Sequence, residues 1–350
     1  MTLTPSTVDS LELDRILPPE QFRGLLAESH DSPSVKHLFS RSRAVTDSIL
    51  GRRVRIRGLI EITNRCRNNC YYCGLRRDNR NLTRYALTPE EILDCCRRGH
   101  EAGFRTFVLQ GGEDPMLTAD AVTSLVAEIH SRYPDSAITL SLGEWPDDAY
   151  RRFREAGASR YLLRHETRSP QHYSQLHPRE MSLTNRLRCL STLKALGYQT
   201  GTGIMVGSPG QTLDNIAEDL AYMAGLQPEM IGIGPFLPHS ATPFALCKPG
   251  SLDLTLRLTA ILRLMFPQAN IPATTALATL SPEGRRLGIL AGANVVMPNL
   301  SPEGVRDQYS LYNNKAHSGA EASEGLALLA SELESIGFTI TTERGDYQNV

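Results

Sequence analysis

The chain has 350 residues, with 37 lysines and arginines against 38 aspartates and glutamates and a formal net charge of −1. This balance, without a long block of one sign, argues against nucleic acid and membrane surfaces as partners and favours a small-molecule reaction. No apolar run of about 18 residues and no signal-peptide pattern is present, and three of the seven cysteines share one short stretch. We therefore expect a cytoplasmic protein in a reducing compartment.

Residues 1–50 are polar and interrupted by prolines, and they predict a helical extension packed outside the main domain. From Arg57 onward, apolar runs alternate with amphipathic stretches, which indicates βα units and a parallel sheet. Eight units in about 240 residues favour an α/β fold of the closed (βα)8 TIM type, with an open doubly wound sheet as the alternative. The strand candidates are residues 57–63, 105–110, 137–142, 160–165, 199–206, 230–234, 270–275 and 293–297.

The end of the chain predicts a helix from Gly319 to about Gly337 that closes the barrel, followed by a short apolar run and a polar tail. The predicted boundaries are therefore an extension over 1–50, a barrel over 51–318, and a closing helix with its tail over 319–350. Active sites of such barrels are built on the loops after the carboxyl ends of the strands. The polar and glycine-rich segments of this sequence fall in those loops, so we expect them to form one ring around a site.

Cys66, Cys70 and Cys73 follow the first predicted strand, within eight residues. Clustered cysteines in a protein without disulfides usually bind an iron–sulfur cluster or zinc. Structural zinc normally takes four ligands, whereas this loop offers three and no obvious fourth nearby. We interpret the loop as the site of one 4Fe–4S cluster in which one iron has no protein ligand. The other cysteines, Cys95, Cys96, Cys189 and Cys247, are expected to be packed thiols.

The spacing C-x3-C-x2-C, with an aromatic residue before the third cysteine, resembles that of the radical S-adenosylmethionine (SAM) enzymes. The resemblance implies that SAM binds the open iron and is cleaved reductively to a 5′-deoxyadenosyl radical. It also implies a set of SAM contacts, which comprises Tyr72, Gln110, Gly111, Gly112, Glu113, Glu166 and Arg186. From the residues alone, the glycine pair equally fits a strand-end turn, and Arg186 equally fits a solvated helix charge.

Arg164 and Glu166 lie two residues apart in the fourth predicted strand and therefore on one face. An unpaired buried charge costs several kcal/mol, so these residues predict either a mutual ion pair or contacts with a ligand. The pattern alone leaves both alternatives open.

Several segments, in order along nearly the whole chain, resemble the HydE family of FeFe-hydrogenase maturases. That family belongs to the group of radical SAM enzymes that includes biotin synthase and methylornithine synthase. The segments cover residues 70–78, 109–115, 139–146, 160–167, 205–211, 232–236 and 271–275. The resemblance implies assembly of the two-iron subcluster of the hydrogenase H-cluster. The adenosyl radical would attack an iron–carbonyl–cyanide–cysteine complex made by the maturase HydG.

The same resemblance implies transient contacts with the maturases HydG and HydF, a reducing electron donor, and an organometallic substrate in the barrel interior. The matching substrate positions are Thr139, Arg164, Thr274, Thr275 and Tyr309. Their hydroxyl and guanidinium donors suit carboxylate and cyanide groups, but they also fit polar core residues that satisfy one another. Some family members carry three further cysteines for an accessory cluster, and residues 312–324 contain none. The alternatives are a methylornithine-synthase-like mutase and an iron–sulfur carrier.

Overall fold

A computed structural model describes residues 5–316 and 322–347 of the chain. The strands are β1 (Arg53–Ile56), β2 (Gly58–Thr63), β3 (Thr106–Gly111), β4 (Ala137–Ser141), β5 (Ala158–Leu162), β6 (Gln199–Thr202), β7 (Met205–Val206), β8 (Met230–Ile231), β9 (Gly234–Pro235), β10 (Val295–Val296) and β11 (Thr339–Thr341). Within the described ranges, no helix combines the length and the hydropathy that a membrane span requires.

The helices begin where the sequence supplies caps, since Ser, Thr or Pro stands at most of the starts. They are α1 (Pro5–Asp14), α2 (Pro19–Ala27), α3 (Pro33–Leu50), α4 (Pro89–Glu101), α5 (Ala119–Arg132), α6 (Asp147–Glu155), α7 (Pro170–Leu176), α8 (Leu183–Ala195), α9 (Leu213–Leu226), α10 (Leu252–Met265), α11 (Thr275–Leu280), α12 (Gly284–Leu290), α13 (Glu303–Arg306) and α14 (Ala322–Glu334). Thr88, for example, accepts from the Glu91 backbone while the Glu91 side chain accepts from the Thr88 backbone, a complete capping box.

The strands form a closed ring. The described strands β2, β3, β4, β5, β6 and β8 pair in parallel in that order. Single bridges continue the ring from Met230 to Asn270 and from Pro272 to Val295, and a bridge from Leu59 to Asn299 returns it to β2. The (βα)8 barrel is therefore confirmed, and the open sheet is not formed.

Some predicted strands are shorter than the sequence pattern indicated. Residues 270–275 are reduced to bridges at Asn270 and Pro272, because a proline has no N–H to extend a ladder. Residues 199–206 divide into β6 and β7 at Gly203, which has φ +155° and whose added Cβ would lie 2.0 Å from the Gly232 oxygen. β5 ends at Leu162, so the predicted strand 160–165 continues beyond it as a loop.

The N-terminal helices α1, α2 and α3 pack on the outside of the barrel, chiefly against α9 and α10. Arg257 of α10 is almost fully buried, and its Nη1 donates to the carbonyl oxygens of Leu26 and Glu28, each at 2.7 Å. A guanidinium thus satisfies carbonyls at the end of α2 that have no partner within the helix. The fold has the expected helical extension, and the boundaries at residues 50 and 318 stay a prediction.

The end of the chain returns to the opposite side of the barrel from the cysteine loop. β11 pairs in parallel with β1, Thr339 opposite Arg53, so the predicted short apolar run is a strand. α14 supplies the closing helix, although its predicted start at Gly319 lies outside the described residues. The tail after β11 packs against β5, where Arg160 donates to the Asp346 carboxylate at 2.7 Å and to the Arg344 oxygen at 2.8 Å. The tail thereby covers the amino-terminal end of the barrel.

We expect Arg160→Leu to lower the free energy of unfolding by about 2–4 kcal/mol, because it removes the hydrogen bonds of a fully buried guanidinium to Asp346, to the Arg344 oxygen and to Thr106. Denaturant unfolding measures the change. Arg132→Leu is the control, since its pair with Glu128 is half exposed and should be worth less than about 1 kcal/mol. Equal, small effects of both variants would contradict a stabilising role of the tail.

Candidate active site

The cysteine loop is anchored where it leaves β2. Thr63 Oγ1 donates to Asp114 Oδ2 at 2.8 Å, which ties the end of β2 to the loop after β3. The fully buried Asn64 donates to the oxygens of Thr83 and Gln308, each at 2.8 Å. Two polar side chains therefore fix the base of the loop to segments that are far apart in sequence.

Cys66, Cys70 and Cys73 are free thiols on this loop, none of them fully exposed. Burial raises the pKa of all three, that of Cys73 to about 12. The thiolates of Cys66 and Cys73 raise the pKa of Cys70 further, and that of Cys66 raises the pKa of Cys73 further. Cys70 Sγ lies 3.6 Å from Met181 Sδ. Within residues 5–316 and 322–347, no three Cys, His, Asp or Glu side chains are placed to hold a single metal ion.

The glycine pair lies directly against the cysteine loop. The Gly112 N–H donates to the Thr63 oxygen at 3.2 Å. A Cβ at Gly112 would lie 2.2 Å from the Arg65 oxygen and 2.8 Å from Cys66 Cβ, so only glycine permits this approach. Gly111 ends β3 and packs against Thr63, because a Cβ at Gly111 would lie 2.9 Å from Thr63 Cγ2.

Glu113 is already partnered in this structure. Its carboxylate accepts from Arg67 Nη2 at 2.9 Å and from the Glu144 N–H at 3.1 Å. It therefore connects the cysteine loop to the loop after β4. Gln110, three residues earlier, donates to the Tyr309 hydroxyl at 3.4 Å, farther down the barrel.

Arg164 and Glu166 lie beyond β5 and pair with each other through two contacts of 2.9 Å. Burial raises the pKa of Glu166, but the Arg164 guanidinium outweighs it and holds that pKa below its usual value. Glu166 has φ +65°, a left-handed conformation, and its N–H donates to the Gly203 oxygen at 3.1 Å. The mutual ion pair, one of the two alternatives that the sequence left open, is formed, and contacts with a ligand stay a prediction.

The turn that contains Arg164 and Glu166 is held by contacts of the residue between them, His165. His165 is fully buried between Thr202 Oγ1, 2.8 Å from Nδ1, and Asp219 Oδ1, 3.3 Å from Nε2. Asp219 also accepts from the Arg168 N–H. Because Asp219 belongs to α9, that helix holds the strained turn and so orients Arg164 and Glu166.

Arg186 of α8 is buried beside this turn. Its Nε pairs with Glu144 Oε1 at 2.6 Å, and its Nη1 donates to the Arg164 oxygen at 3.3 Å. Burial lowers the pKa of Arg186, but the negative groups around it, Glu144 foremost, together hold that pKa well above its ordinary value. Glu144 thus contacts both Arg186 and, through its N–H, Glu113, yet the sequence analysis did not select it, although it stands in one of the ring loops.

Tyr72 contacts a second residue that the sequence analysis missed. Its hydroxyl lies 3.2 Å from His177 Nε2, and the two rings meet edge to face at 5.4 Å. His177 Nδ1 donates to the Tyr173 oxygen at 3.1 Å. Burial lowers the pKa of His177 to about 4, so this imidazole is neutral at pH 7 and can accept from Tyr72. No spacing in the sequence marks it.

The predicted substrate residues divide into two groups. Thr139 and Thr274 have buried hydroxyls with no partner in the described part of the chain, and Thr274 Oγ1 would lie 2.8 Å from a Cβ at Gly234. Arg164 lies nearby, its Cδ 3.7 Å from a Cβ at Gly232. Unpaired buried hydroxyls cost about 1–3 kcal/mol each, so this part of the barrel fits a polar ligand.

Tyr309 and Thr275 lie on another side of the interior. Tyr309 is buried, and its carbonyl oxygen accepts at 3.1 Å from Lys315, which also pairs with the buried Glu61 at 2.5 Å. Thr275 lines a cavity of about 650 Å³ together with Lys315 and Asn299, and none of the other predicted substrate residues lines it. Thr275 thus lines a cavity that Thr139 and Arg164 do not line.

The comparisons with known proteins agree with the fold and the loop. A family model described as the Radical SAM superfamily matches residues 60–223. The chain is 49% identical over 278 residues to "[FeFe] hydrogenase maturase subunit HydE" of Thermotoga maritima, which covers 79% of each chain. It is 31% identical to 3-methylornithine synthase of Methanosarcina barkeri over 77% of this chain and 76% of that one.

Among solved structures, that of methylornithine synthase (PylB) superposes with a TM-score of 0.83 at 28% identity, over 96% of this chain and 97% of the other. The barrel, its N-terminal helices and its closing helix are thus an arrangement known from a radical SAM enzyme. The 49% identity to the HydE subunit, across four-fifths of both chains, identifies one family among the radical SAM enzymes. This chain belongs to the HydE family of radical SAM enzymes.

Proposed function

We propose that this protein is a maturase that acts in assembly of the two-iron subcluster of FeFe-hydrogenase. The observation that carries the proposal is the 49% identity with the Thermotoga maritima HydE subunit over 79% of each chain. The substrate that we propose is an iron–carbonyl–cyanide–cysteine complex from HydG, with HydF as a further transient partner. A mutase like 3-methylornithine synthase is the second candidate, because of the 31% identity and the close superposition.

Cys66, Cys70 and Cys73 would hold one 4Fe–4S cluster. The donor set fits, because three soft thiols on one loop suit iron–sulfur ligation. Burial disfavours the free thiolates, so the positive charge of bound iron would be needed to keep them deprotonated. When bound, the cluster supplies the electron that cleaves SAM to the 5′-deoxyadenosyl radical.

SAM would lie between the glycine pair and α8. The close approach of Gly112 to Cys66 exposes a backbone edge beside the proposed cluster, suited to the amino group of SAM together with Glu113. Arg186 uses one donor on Glu144 and one on Arg164, so N–H groups remain for the SAM carboxylate. We assign Glu166 to the ribose hydroxyls, with Tyr72 oriented by His177.

Within the barrel, the chain's own residues would bind and orient the anionic complex. The unpaired hydroxyls of Thr139 and Thr274 and the guanidinium of Arg164 supply donors for cyanide and carboxylate groups. Tyr309 and Thr275 would line another side of the same interior, near Lys315. The closed ring of strands and the tail at its far end exclude water from the radical.

Serine in place of any one of the three cysteines is expected to abolish SAM cleavage under dithionite, since a hydroxyl replaces a soft thiolate poorly. The reconstituted wild-type chain should contain about four irons, and the triple Cys66→Ser, Cys70→Ser, Cys73→Ser variant almost none. Iron and sulfide content with paramagnetic resonance measure this. Cys247→Ser is the control and should keep the cluster. A reducible cluster in the triple variant would reveal another metal site.

Alanine at Glu166 or Arg186 is expected to weaken SAM binding roughly ten- to a hundredfold, because each removes a charge-assisted hydrogen bond worth about 1.5–3 kcal/mol. Calorimetry on anaerobic protein measures the affinity, and the cluster spectrum should be unchanged. Arg188→Ala is the control, on the same helix but partly exposed. Unchanged SAM affinity in both test variants would mean that the pocket lies elsewhere.

The maturation role is tested by activating apo-hydrogenase with HydG, HydF and this protein, reconstituted anaerobically. We expect hydrogen evolution only when the protein is included, and none with the triple serine variant, which lacks the cluster. Formation of 3-methylornithine without hydrogenase activation would support the second candidate instead. Full activation in the absence of the protein would overturn the proposed function.

A further inference from the structure

Three buried polar atoms near the cysteine loop have no hydrogen-bond partner in the described part of the chain. They are Glu144 Oε1 in the loop after β4, the Tyr173 hydroxyl in α7 and Arg186 Nε in α8. Glu144 Oε1 and Arg186 Nε lie 2.6 Å apart as an ion pair, but the N–H is not directed at that oxygen. Buried groups without hydrogen bonds are costly, so three of them in one region indicate a site for a ligand.

The Tyr173 hydroxyl lies in the same region as the ion pair. Burial raises the pKa of Tyr173, the charge of Arg186 lowers it, and the charges of Glu144 and Cys70 raise it further. Tyr173 also lines a cleft of about 340 Å³ together with Met181, whose Sδ is 3.6 Å from Cys70 Sγ. The three groups therefore lie together, beside the cysteine loop and next to a cleft that opens to the surface.

Glu144 and Tyr173 are held in place by contacts that leave these atoms unused. Glu144 Oε2 accepts from Asn185 Nδ2, and the Glu144 N–H donates to Glu113 Oε1 at 3.1 Å. The Tyr173 ring stacks on the ring of His177, with 4.0 Å between their centroids. The unused oxygen atoms are thus fixed in position before a ligand arrives, which lowers the entropic cost of binding.

The donors and acceptors of this set match the α-amino-acid end of SAM. An ionised carboxylate only accepts hydrogen bonds and a guanidinium only donates them, whereas a tyrosine hydroxyl does both. An amino group therefore suits Glu144, and a carboxylate suits Arg186 with the Tyr173 hydroxyl as a further donor. Glu113, the other carboxylate here, already accepts from Arg67 and from the Glu144 N–H. Glu144 therefore offers the carboxylate oxygen that is without a hydrogen bond.

We propose that Glu144 and Tyr173 are binding residues for the amino-acid end of SAM, Glu144 accepting from its amino group and Tyr173 donating to its carboxylate beside Arg186. Binding then gives a partner to atoms that are buried and unsatisfied without SAM, and this relief contributes to the affinity. The proposal rests on the SAM site proposed above and adds two residues to it.

The test measures ligand binding by calorimetry, on anaerobic protein whose iron and sulfide content matches the wild type. The variants are Glu144→Gln and Tyr173→Phe, which nearly keep the size and shape of each side chain. The probes are SAM, decarboxylated SAM, and the SAM analogue with hydrogen in place of the α-amino group. Asp148→Asn and Tyr133→Phe are the controls, since the Asp148 carboxylate is largely exposed and Tyr133 follows α5, before β4 begins.

We expect Glu144→Gln to weaken SAM binding at least about tenfold, and to leave the affinity for the analogue without the amino group within about threefold of the wild type. Tyr173→Phe should weaken SAM binding about three- to tenfold and leave the affinity for decarboxylated SAM within about twofold. Both controls should bind all three ligands as the wild type does.

An equal loss for SAM and for the matching analogue would overturn the proposal, because the residue would then only shape the pocket. Arg186→Ala, measured alongside, separates two kinds of failure. If it weakens SAM binding and neither Glu144→Gln nor Tyr173→Phe does, the SAM site stands and the two added residues are wrong. If none of the three variants changes the SAM affinity, the SAM site lies elsewhere and the proposal fails with it.

Discussion

The site depends on closure of the barrel at Leu59. Its N–H donates to the Pro298 oxygen at 2.9 Å, and its oxygen accepts from the Leu300 N–H at 2.7 Å, so β2 joins the segment that follows β10. This closure brings Asn299 within 2.9 Å of Glu61, two residues before the end of β2. The loop that follows β2 therefore lies over a ring rather than at a sheet edge. Loops that are far apart in sequence can then contribute to one interior.

The carboxyl ends of the strands carry several paired charges, most of them buried or partly buried. Four cations here meet carboxylates, Arg164 with Glu166 within one loop and the others across neighbouring segments: Arg67 with Glu113, Arg186 with Glu144, and Lys315 with Glu61. Buried ion pairs contribute little net stability, because desolvation offsets their attraction. Here the pairs fix the positions of the charged side chains around the site. A zwitterionic ligand such as SAM presents both signs of charge and can share these partners without leaving a charge uncompensated.

The sequence was sufficient for those parts of the structure that local chemistry determines. The spacing of the three cysteines, the glycine pair and the alternation of apolar runs with amphipathic stretches predicted the loop and the barrel. The sequence did not predict Glu144 or His177, because their importance arises from contacts with Arg186 and Tyr72 that only tertiary packing creates.

The strand errors have a similar origin. Pro272 looks like part of an apolar run, but its missing N–H limits it to a bridge. The strand β11 was missed because three residues of strand have no stable pairing until β1 is in place beside them. Period-two counting placed Arg164 and Glu166 on one face of a strand, yet β5 ends before them, and their pairing depends on a left-handed turn held by Asp219.

The two sides of the cysteine loop have different surroundings, one in the barrel interior and one at the surface. Cys73 packs near Tyr309 of the barrel interior and is influenced electrostatically by Glu166 and Arg164. Cys70 instead contacts Met181, beside the cleft at the surface. A cluster held between them would therefore face the barrel interior on one side and the surface cleft on the other.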